Sequence, residues 1–200
     1  MKNSKNKMEF VAGIDEVGRG CLAGPVVSAA VILDEDYKID GLNDSKKLTE
    51  KKRNKLAREI KEYSLAWAIA WSDVAEIDCL NILSATMLSM RRSILRLKIL
   101  PQLVLVDGNT LPNLYFFGPR IQGKAIIGGD SKFSSISAAS ILAKVERDAF
   151  MVKCNILYPG YSFDKNKGYG TAEHIKNIDN IGLCNIHRKS FNIKKTITIT

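Results

Sequence analysis

Residues 11–20 read VAGIDEVGRG: an apolar run (Val11, Ala12, Ile14) meets two adjacent carboxylates, Asp15 and Glu16, and then Gly18-Arg19-Gly20. The run predicts a strand over about 9–15, buried and ending on negative charge. A second β-rich run, Val26 to Leu33, does not alternate cleanly and is expected to be buried on both faces. Residues 64–72 (SLAWAIAWS) sit where a third strand would complete a meander. Further along, Leu103 to Val106 stops at Asp107-Gly108-Asn109, and Ala125-Ile126-Ile127 stops at Gly128-Gly129-Asp130. Three strand-like runs thus lead into an acid: Asp15, Asp107 and Asp130.

Helical patterns lie between these runs. Thr49 is a candidate N-cap for a helix bearing Leu56, Ala57 and Ile60. Asn81 can cap an amphipathic helix over 82–98 that ends before Pro101. A long helix is expected from about Ser134 to Leu157, with Ser137, Ala138, Ala139 and Ser140 small enough to let it approach a sheet closely. Strands first, then strands alternating with helices, indicate a mixed α/β layer.

Carboxylates converging at one sheet edge repel one another unless a cation neutralises them. An oxygen-only ligand set without His or Cys favours Mg²⁺ or Mn²⁺ over zinc. Two such ions can activate a water and stabilise a leaving oxygen. Neighbouring residues of an ideal strand point to opposite faces, so Asp15 and Glu16 ligate together only if pairing is already ending there, as the glycines at 18 and 20 suggest, or if Glu16 binds through water.

The rest of the chain sets the class. Its 200 residues are 46% hydrophobic, enough for one core, and one domain over 1–200 is the expectation. No apolar window reaches membrane-spanning length and no uncharged signal-peptide core follows the basic N-terminus, so a soluble, cytoplasmic protein is expected. Cys21, Cys79, Cys154 and Cys184 are far apart and form no C-x-x-C pair, which fits reduced thiols. Thirty Lys and Arg against 21 Asp and Glu give a formal charge of +9, favouring polyanionic partners.

The chain closely resembles the type 2 ribonuclease H family (ribonuclease HII). The matching stretches are GIDEVGRGCLAGPVVSAAVIL (13–33), GLNDSKKL (41–48), IDCLNILSATMLSM (77–90), LVDGN (105–109), GGDSKFSSISAASILAKVERD (128–148), KGYGTAEH (167–174) and HRKSF (187–191), in the family's order over nearly the full length. The resemblance implies a ribonuclease H-like fold, a mixed five-stranded sheet flanked by helices with a C-terminal helical segment over about 158–200. It also implies cutting of the RNA strand of RNA–DNA hybrids, and 5′ to single ribonucleotides in duplex DNA, leaving 3′-hydroxyl and 5′-phosphate ends with Mg²⁺ or Mn²⁺ as cofactor.

The family's four metal-binding carboxylates fall on Asp15, Glu16, Asp107 and Asp130. Its substrate-binding elements fall on Gly18, Arg19 and Gly20, whose backbone would approach the 2′-hydroxyl, and on Tyr169 at the RNA-to-DNA junction. Ser45 and Lys46, in Asn43-Asp44-Ser45-Lys46-Lys47, match a phosphate-contacting loop, and Arg188 with Lys189 a basic C-terminal element. Cys21, Gly128 and Gly170 stand where proline, lysine and proline are usual in the family. A thiol at Cys21 beside Arg19 suggests sensitivity to oxidation. His174 and His187, the only histidines, are expected to be polar surface residues rather than acid catalysts. A monomer suffices for this chemistry. The competing readings are the related type 3 ribonuclease H, which usually carries an extra N-terminal domain and a glutamate as last ligand, and an inactive module that binds nucleic acid by charge alone.

Overall fold

A computed structural model of the chain describes residues 9–42, 45–116 and 121–191. Asn43, Asp44 and the tail from 192 lie outside the described residues, and with them part of the phosphate-loop and C-terminal expectations. The strands are β1 (Val11–Val17), β2 (Val26–Ile32), β3 (Ala66–Ser72), β4 (Leu103–Asp107) and β5 (Gln122–Ile126). They form one sheet in the order β3-β2-β1-β4-β5. β1, β2 and β3 make the antiparallel meander, and β4 and β5 add in parallel to β1. This is the mixed five-stranded sheet that the sequence anticipates.

The helices are α1 (Glu50–Tyr63), α2 (Val74–Leu80), α3 (Ile82–Leu95), α4 (Ser134–Leu157), α5 (Phe163–Asn166) and α6 (Ala172–Ile181). Every residue of β2 is buried because it is covered on both faces. Val27, Ala29 and Val31 pack under α1 and α4 with Leu56, Ile60, Ile141 and Leu142, while Ala30 and Ile32 face α3 with Met90, Ile94 and Ile14. Removing a Leu or Ile side chain of this size from water contributes about 1.5–3 kcal/mol.

Thr49 caps α1 by accepting from the Lys52 amide, and Asn81 caps α3 by accepting from Ser84. The sequence reading passes over α2. Its signal is a capping box: Asp73 accepts from the Glu76 amide, and Glu76 accepts in return from the Asp73 amide. β5 begins at Gln122, earlier than expected, and is a largely exposed edge strand rather than a buried one; Ile127 lies beyond its end and is exposed.

α4 crosses β1 at Gly13, where an added Cβ would run directly into the backbone of Ser135 and Ile136. A side chain here would push the helix off the sheet, so this glycine sets the closeness that brings α4 to the carboxylates. The described part of the C-terminal segment, α5, α6 and the chain to Phe191, packs through Tyr161, Phe163 and Ile178 onto Met151 and Cys154 of α4 and Leu22 of the β1–β2 connection.

Candidate active site

The parallel pairing of β1 and β4 places their C-terminal ends at one edge. Ile14 opposite Val106 is the last pair between them, so Asp15 and Asp107 each follow it directly on neighbouring strands, about 4.8 Å apart. Asp130 arrives by another route. After β5 the chain turns at Gly128 into a short 3₁₀ turn, Gly129–Ser131, and the Gly129 amide donates to Asp107 Oδ1 at 2.7 Å. That bond anchors the turn carrying Asp130 to the end of β4.

β1 does not stop pairing at the acids, as the glycines suggested. Glu16 stays opposite Ser28 and Val17 opposite Val27 of β2, so Asp15 and Glu16 occupy adjacent positions of a regular strand. Only the β4 side of β1 is unpaired beyond Ile14. Asp15 is buried; its Oδ1 accepts from the Glu16 amide at 2.7 Å and it is hydrogen-bonded to the Ser140 hydroxyl. Burial, reinforced by the charges of Glu16 and Asp107, holds its carboxyl well above the usual range. Burial likewise raises Glu16, against the pull of Arg19, whose Nη1 lies 3.2 Å from Glu16 Oε1.

Two expected phosphate contacts are placed otherwise. Ser45 is buried, and its hydroxyl lies 2.9 Å from that of Ser140. Ser140 is hydrogen-bonded in turn to Asp15, so Ser45 sits behind the carboxylate, as a support for it. Lys46 remains exposed. Arg188 is fully buried, with Nη2 donating to Gly18 O at 2.6 Å and Gly24 O at 2.8 Å, Nη1 to Arg19 O at 2.9 Å and Nε to Gly24 O at 2.9 Å. A guanidinium committed in this way cannot reach a phosphate.

Arg147 is its counterpart from α4, donating to Pro25, Lys167 and Ala23 carbonyls at 2.8–3.0 Å. Sequence reasoning missed it, because an arginine on an amphipathic helix reads as a solvated charge. The glycines of the turn have distinct reasons. Gly18 has φ +95°, and an added Cβ would strike the Arg147 side chain and lie 2.9 Å from Pro25 O. Gly20 meets nothing within 4 Å, so its backbone is open to approach.

Tyr169 faces the same region. It bridges Cys21 in an antiparallel pair, and its ring is partly exposed beneath the cations of Lys144 (5.7 Å) and Arg147 (5.9 Å). Burial first, and then the neighbouring Cys21, push its phenol up to about 12, so it stays protonated. Cys21 is wholly buried and its thiol is raised by that burial, an environment that disfavours the thiolate and so runs against the expected oxidative sensitivity. His174 and His187 are also buried, not surface residues as expected, with Nε2 atoms 3.1 Å apart.

Among the described residues no three His, Cys, Asp or Glu side chains form a ready-made metal cage. The donors nonetheless suit a hard divalent cation: all are oxygens, and a cation there would offset the burial and, after it, the charge repulsion that hold the Asp15 carboxyl up.

Comparison with known proteins places the chain in a family. The family model for ribonuclease HII matches residues 12–194. The ribonuclease HII of Idiomarina loihiensis is 56% identical over 188 residues, covering 94% of this chain and 98% of that one. The ribonuclease H2 of Pyrococcus horikoshii superposes with a TM-score of 0.75 at 26% identity, over 94% of this chain and 96% of that one. The Bst ribonuclease HIII, solved in complex with Mn²⁺, has a TM-score of 0.72 at 20% identity, a likeness of fold, and this chain covers 68% of it. With a family model matching residues 12–194 and a 56% identical relative covered almost end to end, the chain belongs to the ribonuclease HII family.

Proposed function

We infer that this protein is a metal-dependent endoribonuclease that hydrolyses the RNA strand of RNA–DNA hybrids and cuts 5′ to single ribonucleotides in duplex DNA. The observation that carries the reading is that Asp15 and Asp107 each follow the last β1–β4 pair on neighbouring strands, with Glu16 next to Asp15 and the open turn at Gly20 just beyond β1. Asp15, Asp107 and Asp130, with Glu16 acting through a bridging water because β1 stays regular there, are the residues that would hold Mg²⁺ or Mn²⁺. Bound there, such ions would supply a more acidic attacking water and charge compensation at the leaving oxygen.

The chain's own residues supply position. Ser45 and Ser140 orient Asp15, and Arg19 offsets the charge of Glu16. Gly18, Arg19 and Gly20 bring backbone groups to the 2′-hydroxyl, which alone marks a ribonucleotide among deoxynucleotides. Tyr169 offers a protonated, partly exposed ring to the adjoining sugar. Lys46 supplies a phosphate contact that positions the duplex without reading sequence. One catalytic domain acting as a monomer in the cytoplasm fits this reading. No helix of the described residues is long and apolar enough to cross a membrane.

The test is an end-labelled DNA duplex containing one ribonucleotide, incubated with Mg²⁺, Mn²⁺ or chelator beside an all-DNA control. The expected result is a single metal-dependent cut on the 5′ side of the ribonucleotide. Cleavage confined to long hybrids, or binding without cleavage under either metal, overturns the reading.

A further inference from the structure

Residues 21–24 form the middle of a small three-segment patch. On one side Cys21 bridges Tyr169 and the Leu22 amide donates to Gly168 O at 2.8 Å. On the other, Ala23 bridges His187, the Gly24 amide donates to Ile186 O at 2.8 Å, and the Arg188 amide donates to Leu22 O at 2.9 Å. The adjacent side chains of His187 and Arg188 leave this patch toward the two elements read above as sensing the sugar.

Arg188 reaches the first. Its planar fork gathers the carbonyls of Gly18, Arg19 and Gly24 on the inner side of the turn, with Gly20 left open. Five fixed donors suit three carbonyls in different directions; an ammonium on a flexible stem does not. Neither Arg188 nor Arg147 forms an ion pair with an acid among the described residues, so their bonds serve the backbone of this connection.

His187 reaches the second through His174, and the donors along this chain fix both tautomers. The Cys184 amide donates to His187 Nδ1 at 2.9 Å, so His187 carries its proton on Nε2 and donates to His174 Nε2 at 3.1 Å. His174 then carries its proton on Nδ1 and donates to the Tyr169 carbonyl at 2.8 Å. Each ring has one donor and one acceptor in use, which requires both to be neutral. Burial pushes both in that direction, His187 down to about 4.

We propose that His187 and Arg188 are positioning residues that together fix the Gly18–Gly20 turn relative to Tyr169, and so set how sharply the enzyme recognises a single ribonucleotide. The inference rests on the reading of those two elements as sugar-sensing. A long hybrid offers a 2′-hydroxyl in every register, so a loosened reader still finds a productive one. A lone ribonucleotide offers one register, and its cleavage is the more sensitive to their relative placement.

The experiment compares kcat/KM on a duplex with one ribonucleotide against kcat/KM on a long hybrid, in the same metal, for wild type, Arg188→Lys, His187→Gln and His187→Leu, with melting temperatures recorded alongside. Arg188→Lys keeps the charge and loses the fork; His187→Gln keeps an N–H donor toward His174 and His187→Leu does not. Arg188→Lys and His187→Leu are expected to lower the ratio about tenfold, with His187→Gln recovering part of it. Equal losses on both substrates in Arg188→Lys and in His187→Leu overturn the proposal, since a merely structural role scales both activities together. If Arg188→Lys does not fold, the His187 pair decides by the same criterion. Failure of all three to fold assigns the dipeptide a purely structural role and also overturns it. A wild type that does not cut at the lone ribonucleotide instead refutes the underlying reading.

Discussion

Gly18 and Gly20 are separated by one residue, and alanine at the two positions should do opposite things. At Gly18 the new side chain must adopt φ +95°, which costs about 1–2 kcal/mol for an L-residue. It also displaces the Arg147 side chain, whose guanidinium holds the carbonyls of Pro25, Lys167 and Ala23. Losing one such charged hydrogen bond costs about 1.5–3 kcal/mol. The sum, roughly 2.5–5 kcal/mol, corresponds to a fall in Tm of roughly 5–20 °C for a chain of this size. At Gly20 the Cβ meets nothing within 4 Å, so Gly20→Ala should leave Tm within about 3 °C of wild type. It should nevertheless lower kcat/KM at a single ribonucleotide at least about tenfold, or about 1.4 kcal/mol, because the methyl occupies the face left open for the sugar. Differential scanning fluorimetry and single-ribonucleotide cleavage read the two effects. A Gly18→Ala protein that melts with wild type, or a Gly20→Ala protein that cuts normally, refutes the assignment of one glycine to packing and the other to substrate.

Asp107→Asn keeps an acceptor for the Gly129 amide while removing a ligand charge, so hybrid binding should persist and turnover be lost; near-normal cleavage excludes a metal role. Native Asp15 holds its proton more tightly than the unfolded chain does, so in chelator its contribution to stability falls as pH rises from the unfolded carboxyl range through the raised native value. The difference in melting temperature between Asp15→Asn and wild type should therefore grow in the variant's favour over that window, and Mg²⁺ or Mn²⁺ should restore wild type alone; a pH-independent difference contradicts this. Of the four thiols only Cys79 is exposed, so a maleimide should modify it first in the native protein and leave cleavage intact. Rapid modification of Cys21 would show that the turn opens more than its packing implies.

Much of the sheet is legible in the sequence because apolar runs and their stops are local. Both helix caps at Thr49 and Asn81 could be read in the same way. The carboxylates stand out because three strand-like runs lead into an acid, but an acid after a strand is often only a turn former, and it is the motif resemblance that singles these four out. What escaped depends on distant partners. Arg147 and Arg188 look like surface charge until the carbonyls of residues 18–25 and 167 surround them. The histidines look solvent-facing until Tyr161 and Phe163 enclose them. Ser45 looked like a loop hydroxyl because its partner, Ser140, lies 95 residues away.

Ser140, Lys144, Arg147 and Met151 lie on one stripe of α4 at intervals of four, three and four residues. Along it the helix meets the buried carboxylate Asp15, then the Tyr169 ring, then the connection that holds the open turn, and last Gly24. Ser140 and Arg147 are separated by seven residues, close to two full turns and about 10.5 Å of rise. The residues proposed for cutting and for sugar recognition are thereby both packed against one helix. Insertion of one residue between them would rotate one relative to the other by about 100°. In the proposed reading, the pitch of α4 therefore helps to set the distance between the carboxylate and the connection that carries the sugar-reading turn.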